Sequence, residues 1–223
     1  MLVSWSVAVT LLSKLALFPQ VPFMKVMSFP LVSFVAQVFA YLSLLAFMVS
    51  ALKRRSGEGF WPAIRWNWPT QGMWVLILIG LVSYIALVGV AHLLPWPKKS
   101  PFEEFFKRPI DAYAVAVLAV SIGPFFEELL FRGFLYPVLS RRLGVAAAVL
   151  LTAIPFALIH YPEYASWSPV LVVFLIGVIL TIVRAKKGAV AASFIVHAVY
   201  NGVQMGIAFV ATGGFQHLEK MTQ

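Results

Sequence analysis

Residues 73–94 read MWVLILIGLVSYIALVGVAHLL, a run without Asp, Glu, Lys or Arg that ends at Pro95-Trp96-Pro97. A helix rising ~1.5 Å per residue needs roughly 20 apolar residues to cross ~30 Å of hydrocarbon, so this run is long enough to span a bilayer. Others flank it. Residues 31–52 form a second uncharged run. Residues 110–139 form a longer one, interrupted by Asp111, Glu127, Glu128 and Arg132. Residues 143–160 contain Pro155, 169–183 are shorter, and 188–212 contain His197. The N-terminal stretch 1–21 is broken by Lys14 and closed by Pro19 and Pro22, and reads as a further span or an interfacial helix. It has no basic leader and no small-residue cleavage site, so it is not expected to be a signal peptide. The expected fold is all-α, a polytopic transmembrane helical bundle of six or seven spans.

Composition agrees. Of the 223 residues, 61% are hydrophobic and 11% charged, against about 45–50% and 25% in soluble domains. The mean hydropathy is +0.92. Too few charges are present to cover a water-soluble domain of this size, which excludes a soluble enzyme and a disordered regulator. The absence of cysteine removes disulfides, thiolate ligands and a cysteine nucleophile. The formal net charge of +9 comes from short basic clusters between apolar runs, so nucleic acid is not an expected partner. Lys53, Arg54, Arg55 and Arg65, then Arg141 and Arg142, then Arg184, Lys186 and Lys187 fall on one side by span parity. The positive-inside rule makes that side cytoplasmic, although Lys98, Lys99, Lys107 and Arg108 lie on the other. The expected location is integral and multi-pass, in a bacterial-type plasma membrane. Ser100-Pro101-Phe102-Glu103-Glu104 carries the capping pattern of a short interfacial helix.

The polar residues inside the spans are the informative ones, because an ionisable group there costs ~2.5–3.5 kcal/mol on the translocon scale and marks function by default. Glu128 and Arg132 are four residues apart, share a helix face and can pair. Glu127 is rotated by ~100° and is left to face something else. His160 closes the 143–160 run. His197 and Asn201, again four apart, project from one face of the last run. Counted from the basic clusters at ~1.5 Å per residue, Glu127 lies ~21 Å, His160 ~27 Å and His197 ~15 Å deep, which allows them to meet near mid-membrane. One free carboxylate, two imidazoles and a carboxamide make hydrolytic equipment: a base for water and donors for an oxyanion. The bland alternatives are a structural ion cluster for the acids and interhelical hydrogen bonding for His197 and Asn201. His92, with no polar partner at helical spacing, reads as an interfacial histidine.

Other intramembrane hydrolases fail on residue type. Asp111 is the sole aspartate, which excludes a two-aspartate protease in one chain. No His is followed by Glu as a His-Glu-x-x-His site needs, and no Gly-x-Ser-x-Gly elbow exists. Ser193 lies one turn before His197, but a serine mechanism leaves the glutamates without work.

Glu-Glu-x-x-x-Arg (Glu127, Glu128, Arg132), Phe-x-x-x-His (Phe156, His160) and His-x-x-x-Asn (His197, Asn201) occur in this order, and through them the chain resembles the type II CAAX prenyl proteases, also called the ABI or CPBP family of intramembrane proteases. The resemblance divides the chain into N-terminal helices without a recognised motif (1–109), a catalytic membrane domain (110–212) and a tail (213–223). It implies an intramembrane endopeptidase acting on a membrane-associated protein or peptide, in which Glu127 and His160 activate water, His197 and Asn201 form the oxyanion site, and Glu128 and Arg132 support the fold. The expected cofactor is none, since an amide such as Asn201 suits an oxyanion better than zinc; the alternative is Zn held by Glu127, His160 and His197. The alternative function is a non-catalytic membrane protein, akin to a bacteriocin-immunity factor, that binds a peptide or partner through the same cluster.

Overall fold

In this computed structural model the description covers residues 2–27 and 29–221; Met1 of the N-terminal stretch and Thr222 and Gln223 of the tail lie outside the described residues. Those residues form helices and turns, with no strand among them. Two units are distinguished, Met1–Phe60 and Trp61–Gln223.

The first unit holds α1 (Leu2–Ala16), α2 (Phe23–Met27) and α3 (Pro30–Ser56). Pro30 opens α3, where a missing N–H costs nothing, and Gly57 ends it at φ 68°. The apolar stretch Pro30–Arg54 is long enough to cross a membrane. With 15 residues, α1 reaches only ~22 Å, short of ~30 Å of hydrocarbon. It packs along α3, with Trp5 stacked on Phe39 at 4.9 Å and its indole N–H donating to Ser43 Oγ at 2.9 Å.

The second unit holds the motif residues. It holds α4 (Phe60–Ile64) from Trp61 onward and α5 (Met73–His92), then a short 3-10 turn, Pro101–Phe106. That turn is capped as its sequence suggests, with Ser100 N–H donating to Glu103 Oε1 at 3.0 Å. Arg108 Nε and Nη2 grip Asp111 at 2.6 and 2.8 Å at the head of α6 (Pro109–Val117). The hydrogen bond and charge of Asp111 raise the pKa of Arg108 above its ordinary value. A π-helical turn, Leu118–Ile122, follows, then α7 (Gly123–Glu128), a second π turn, Leu129–Leu135, and α8 (Tyr136–Leu158). After α9 (Tyr161–Tyr164) come α10 (Trp167–Lys187) and α11 (Val190–Ala211).

Five helical stretches are long and apolar enough to cross a membrane among the described residues. One of them, Pro109–Tyr164, has 56 residues, or ~84 Å of helix, more than two hydrocarbon thicknesses. It breaks at Gly144, whose φ of 78° and ψ of 168° lie outside the helical region, two residues after Arg142. The expected count of six or seven is therefore approximate: the third and fourth runs share one stretch, and α1 is short. The two π turns were not expected from sequence.

Helices in a membrane gain little from burying apolar surface against each other and rely on close contact through small residues. Here the small residues are explicit. A Cβ added at Gly80 of α5 would lie 2.7 Å from Val199 of α11, and one at Gly177 of α10 would lie 2.8 Å from Phe156 of α8. Those two approaches bring α5, α8, α10 and α11 around the buried cluster that includes Leu76, Phe131, Phe156, Ile176, Leu180 and Val196.

Candidate active site

The glutamate pair sits on α7, a single helical segment held between the two π turns. Such turns re-aim side chains and recur at functional sites. Gly123 permits the first: its N–H bonds Leu118 O, and an added Cβ would stand 2.9 Å from that oxygen. One turn on, Glu128 and Arg132 are both completely buried and paired, Nη1 to Oε1, at 2.8 Å. Arg132 has further partners on α10, donating from Nη2 to Gly177 O at 2.9 Å and from Nε to Thr181 Oγ1 at 3.3 Å. Its guanidinium also lies over the Phe156 ring, 4.3 Å from the centroid. A buried charge needs both an opposite charge and satisfied donors, and Arg132 has both.

Glu128 Oε1 is shared. It also accepts from His197 Nδ1 at 3.0 Å. Its other oxygen, Oε2, is buried without a hydrogen-bond partner. Ser193 lies beside this carboxylate but donates its hydroxyl to Val190 O at 2.9 Å. The serine is thus committed to backbone and makes no nucleophile–base pair with His197. On the far side of the imidazole, His197 Nε2 stands 3.8 Å from Glu127 Oε2. The Glu127 side chain is 17% exposed where that of Glu128 is 0%. The two neighbouring acids therefore differ as the helical rotation predicts, one locked to arginine and one more open. The histidine between them was not foreseen.

His160 lies two residues past the end of α8, whose last turn contains Pro155. Its own N–H turns to Ala157 O, and its ring Nδ1 lies 2.7 Å from Phe156 O. A carbonyl only accepts, so Nδ1 carries a proton and Nε2 is the ring nitrogen left to face other groups. The ring rests against Phe156 at 5.0 Å, and His197 approaches the same phenyl at 5.8 Å. Phe156, quoted in the motif without a task, is thus the apolar platform under Arg132, His160 and His197. Glu163, three residues beyond His160, lies within electrostatic reach of both His160 and Glu127. Its spacing was the available signal, and the sequence reading passed over it.

Asn201 does not join the glutamates directly. Its Nδ2 donates to Ala119 O in the first π turn at 2.7 Å. Arg184, read only as part of a basic cluster, turns inward and donates from Nε to Arg132 O at 3.1 Å. Among the described residues no group of three or more His, Cys, Asp or Glu side chains is placed to hold a metal ion. Glu127, His160 and His197, the set zinc would need, are not gathered into such a group.

The structure is that of a helical membrane protein with a carboxylate–arginine–histidine cluster buried among its membrane-length apolar helices. Residues 109–203, the segment that carries all three motifs, match the family model described as Type II CAAX prenyl endopeptidase Rce1-like. No curated protein and no solved structure matches the chain.

Proposed function

We propose that this protein is an intramembrane endopeptidase in which Glu127 takes a proton from water and the resulting hydroxide attacks a peptide carbonyl. The observation that carries the reading is the separation of the two acids. Glu128 is neutralised by Arg132 and fixes His197, while Glu127 Oε2 faces His197 Nε2 across 3.8 Å. That gap is too long for a direct hydrogen bond and short enough for one water beside the pair to touch both atoms. With Glu128 accepting from Nδ1, the His197 ring donates from Nε2 only when both ring nitrogens carry a proton.

In the proposed step the water O–H bond breaks toward Glu127, the new C–O bond forms, and the carbonyl oxygen becomes an oxyanion. His197 Nε2–H and the second N–H of Asn201 stabilise it. The intermediate collapses, the C–N bond breaks, and Glu127 returns its proton to the leaving amine. His160, through the Nε2 that its backbone bond leaves available, assists in orienting the water. Glu128 and Arg132 act by holding His197 and the helix that bears Glu127.

The test is cleavage of membrane-tethered peptides, prenylated and unprenylated, by the purified protein in bilayers, with bound metal measured on the same sample. Turnover that survives chelation supports the reading. Turnover lost to chelator and restored by zinc transfers Glu127, His160 and His197 to metal ligation. Peptide binding without cleavage, at every substrate tried, replaces the enzyme with a binding protein.

A further inference from the structure

Two backbone carbonyls bracket the glutamate turn, and both are left open for the same reason. In a π turn an N–H reaches the carbonyl five residues back instead of four. The next carbonyl along then depends on the next N–H. In the first turn Gly123 N–H bonds Leu118 O, and the residue that should serve Ala119 O is Pro124. In the second, Tyr136 N–H bonds Phe131 O, and the residue that should serve Arg132 O is Pro137. Proline has no N–H to give. Within a membrane no water is at hand, and an unpaired backbone oxygen is expensive.

In each case a side chain from another helix supplies the missing hydrogen. Asn201 of α11 donates to Ala119 O at 2.7 Å, and Arg184 of α10 donates to Arg132 O at 3.1 Å. Arg184 stands next to the basic end of α10, where a side chain would ordinarily reach for the surface, yet it is 4% exposed. Its bond starts a continuous path: Arg184 to the Arg132 carbonyl, the Arg132 guanidinium to Glu128 at 2.8 Å, and Glu128 to His197 at 3.0 Å.

We propose that Arg184 is a positioning residue of this site: it closes the Arg132 carbonyl that the π turn and Pro137 leave open, as Asn201 closes Ala119, and so fixes the segment that presents Glu127 and Glu128. Arg184 touches no reacting atom and acts through the register of that segment. The kinetic readout rests on the protease reading; the exchange readout below does not.

The experiment supplies the hydrogen another way. Arg184→Leu removes the donor, and Pro137→Ala restores a backbone N–H able to reach Arg132 O. Arg184→Leu is expected to lower kcat by about 10–100-fold with little change in KM, as for a small misplacement of catalytic groups. Amide hydrogen exchange over residues 129–137 should rise in parallel. The Pro137→Ala/Arg184→Leu double variant should recover most of the kcat and the protection, which a general loss of packing or charge at residue 184 would not allow. Wild-type kcat in Arg184→Leu overturns the proposal, and so does a double variant that stays as slow and as unprotected as the single. If Arg184→Leu does not accumulate as folded protein, the double variant decides: recovery of folded protein supports the clasp, and failure to recover overturns it. If the wild type cleaves nothing, the protease reading fails by itself and hydrogen exchange still decides the clasp.

Discussion

Two stretches of the second unit, α5 and residues 109–164, are nearly equal in apolarity, with mean hydropathy of 2.5 and 2.1 over their most apolar windows. Each carries, at or near its C-terminal end, a histidine whose Nδ1 bonds the carbonyl four residues back, His92 to Val88 O at 2.8 Å and His160 to Phe156 O at 2.7 Å. There the likeness stops. In α5 the backbone runs unbroken from Met73 to His92. The other stretch contains two π turns, a break at Gly144 and an internal Pro155, and it buries Glu128 and Arg132 completely. A regular helix satisfies its own backbone and has nothing to offer a substrate. An interrupted one opens carbonyls and re-aims side chains, and other helices must answer it. The helices that answer are α10, through Gly177, Thr181 and Arg184, and α11, through His197 and Asn201. Function in this chain is expected where helical regularity is given up.

The comparison breaks most visibly if Glu127 is dispensable. Glu127→Gln keeps the shape of the side chain and removes the base, so turnover should fall by about 10²–10⁴-fold. Unchanged turnover, measured on protein that retains its thermal transition, would remove the proposed chemistry from the interrupted stretch. Next in size is the locked acid. Glu128→Gln leaves the Arg132 charge buried and unpaired, and breaking one side of such a pair costs about 3–5 kcal/mol. Thermal denaturation in detergent should therefore rank Glu128→Gln well below Glu127→Gln. Equal transitions for the two variants would mean that the division of labour between neighbouring acids is wrong.

The different placement of the two acids was readable from sequence because it depends on helical rotation alone: residues 128 and 132 share a face, and 127 does not. The spans were readable because length and apolarity decide them. Other features depend on tertiary facts that carry no local signal. Helical spacing grouped His197 with Asn201, but tertiary contact puts His197 between Glu127 and Glu128 and sends Asn201 to Ala119 O. The π turns need the pairing of each freed carbonyl with a donor on a helix more than 50 residues away. Their sequence trace is real but small: Gly123-Pro124 and Tyr136-Pro137 inside a run that is otherwise a good helix. Arg184 was hidden by its company, since its neighbours Lys186 and Lys187 read as an ordinary basic helix end.

A third change sharpens the contrast between the platform and plain helix surface. Gly177→Ala would set a Cβ 2.8 Å from Phe156 Cδ1, beneath the ring that supports Arg132, His160 and His197. Overpacking of this kind costs about 1–3 kcal/mol. Gly89→Ala in α5 meets nothing within 4 Å and should leave the thermal transition where it is or raise it slightly. The readout is the difference between the two transitions. Equal shifts would deny Phe156 its place as a fixed platform.

The smallest expected effect belongs to His92, and it tests whether a helix-end histidine matters by its own geometry or by its surroundings. His92 and His160 make the same bond to backbone, so each holds its proton on Nδ1 and offers Nε2. His92 is exposed, and water can replace its bond to Val88 O; His160 lies against Phe156 and within electrostatic reach of Glu163. Substitution at an exposed position with a replaceable partner changes stability by less than about 0.5 kcal/mol. His92→Ala should therefore leave both the thermal transition and turnover close to wild type, while His160→Ala lowers turnover with its transition largely kept. A loss of turnover in His92→Ala comparable to that in His160→Ala would show that the carbonyl-capping bond itself, common to both, controls activity. The contrast between a regular and an interrupted helix would then no longer mark where the chemistry is done.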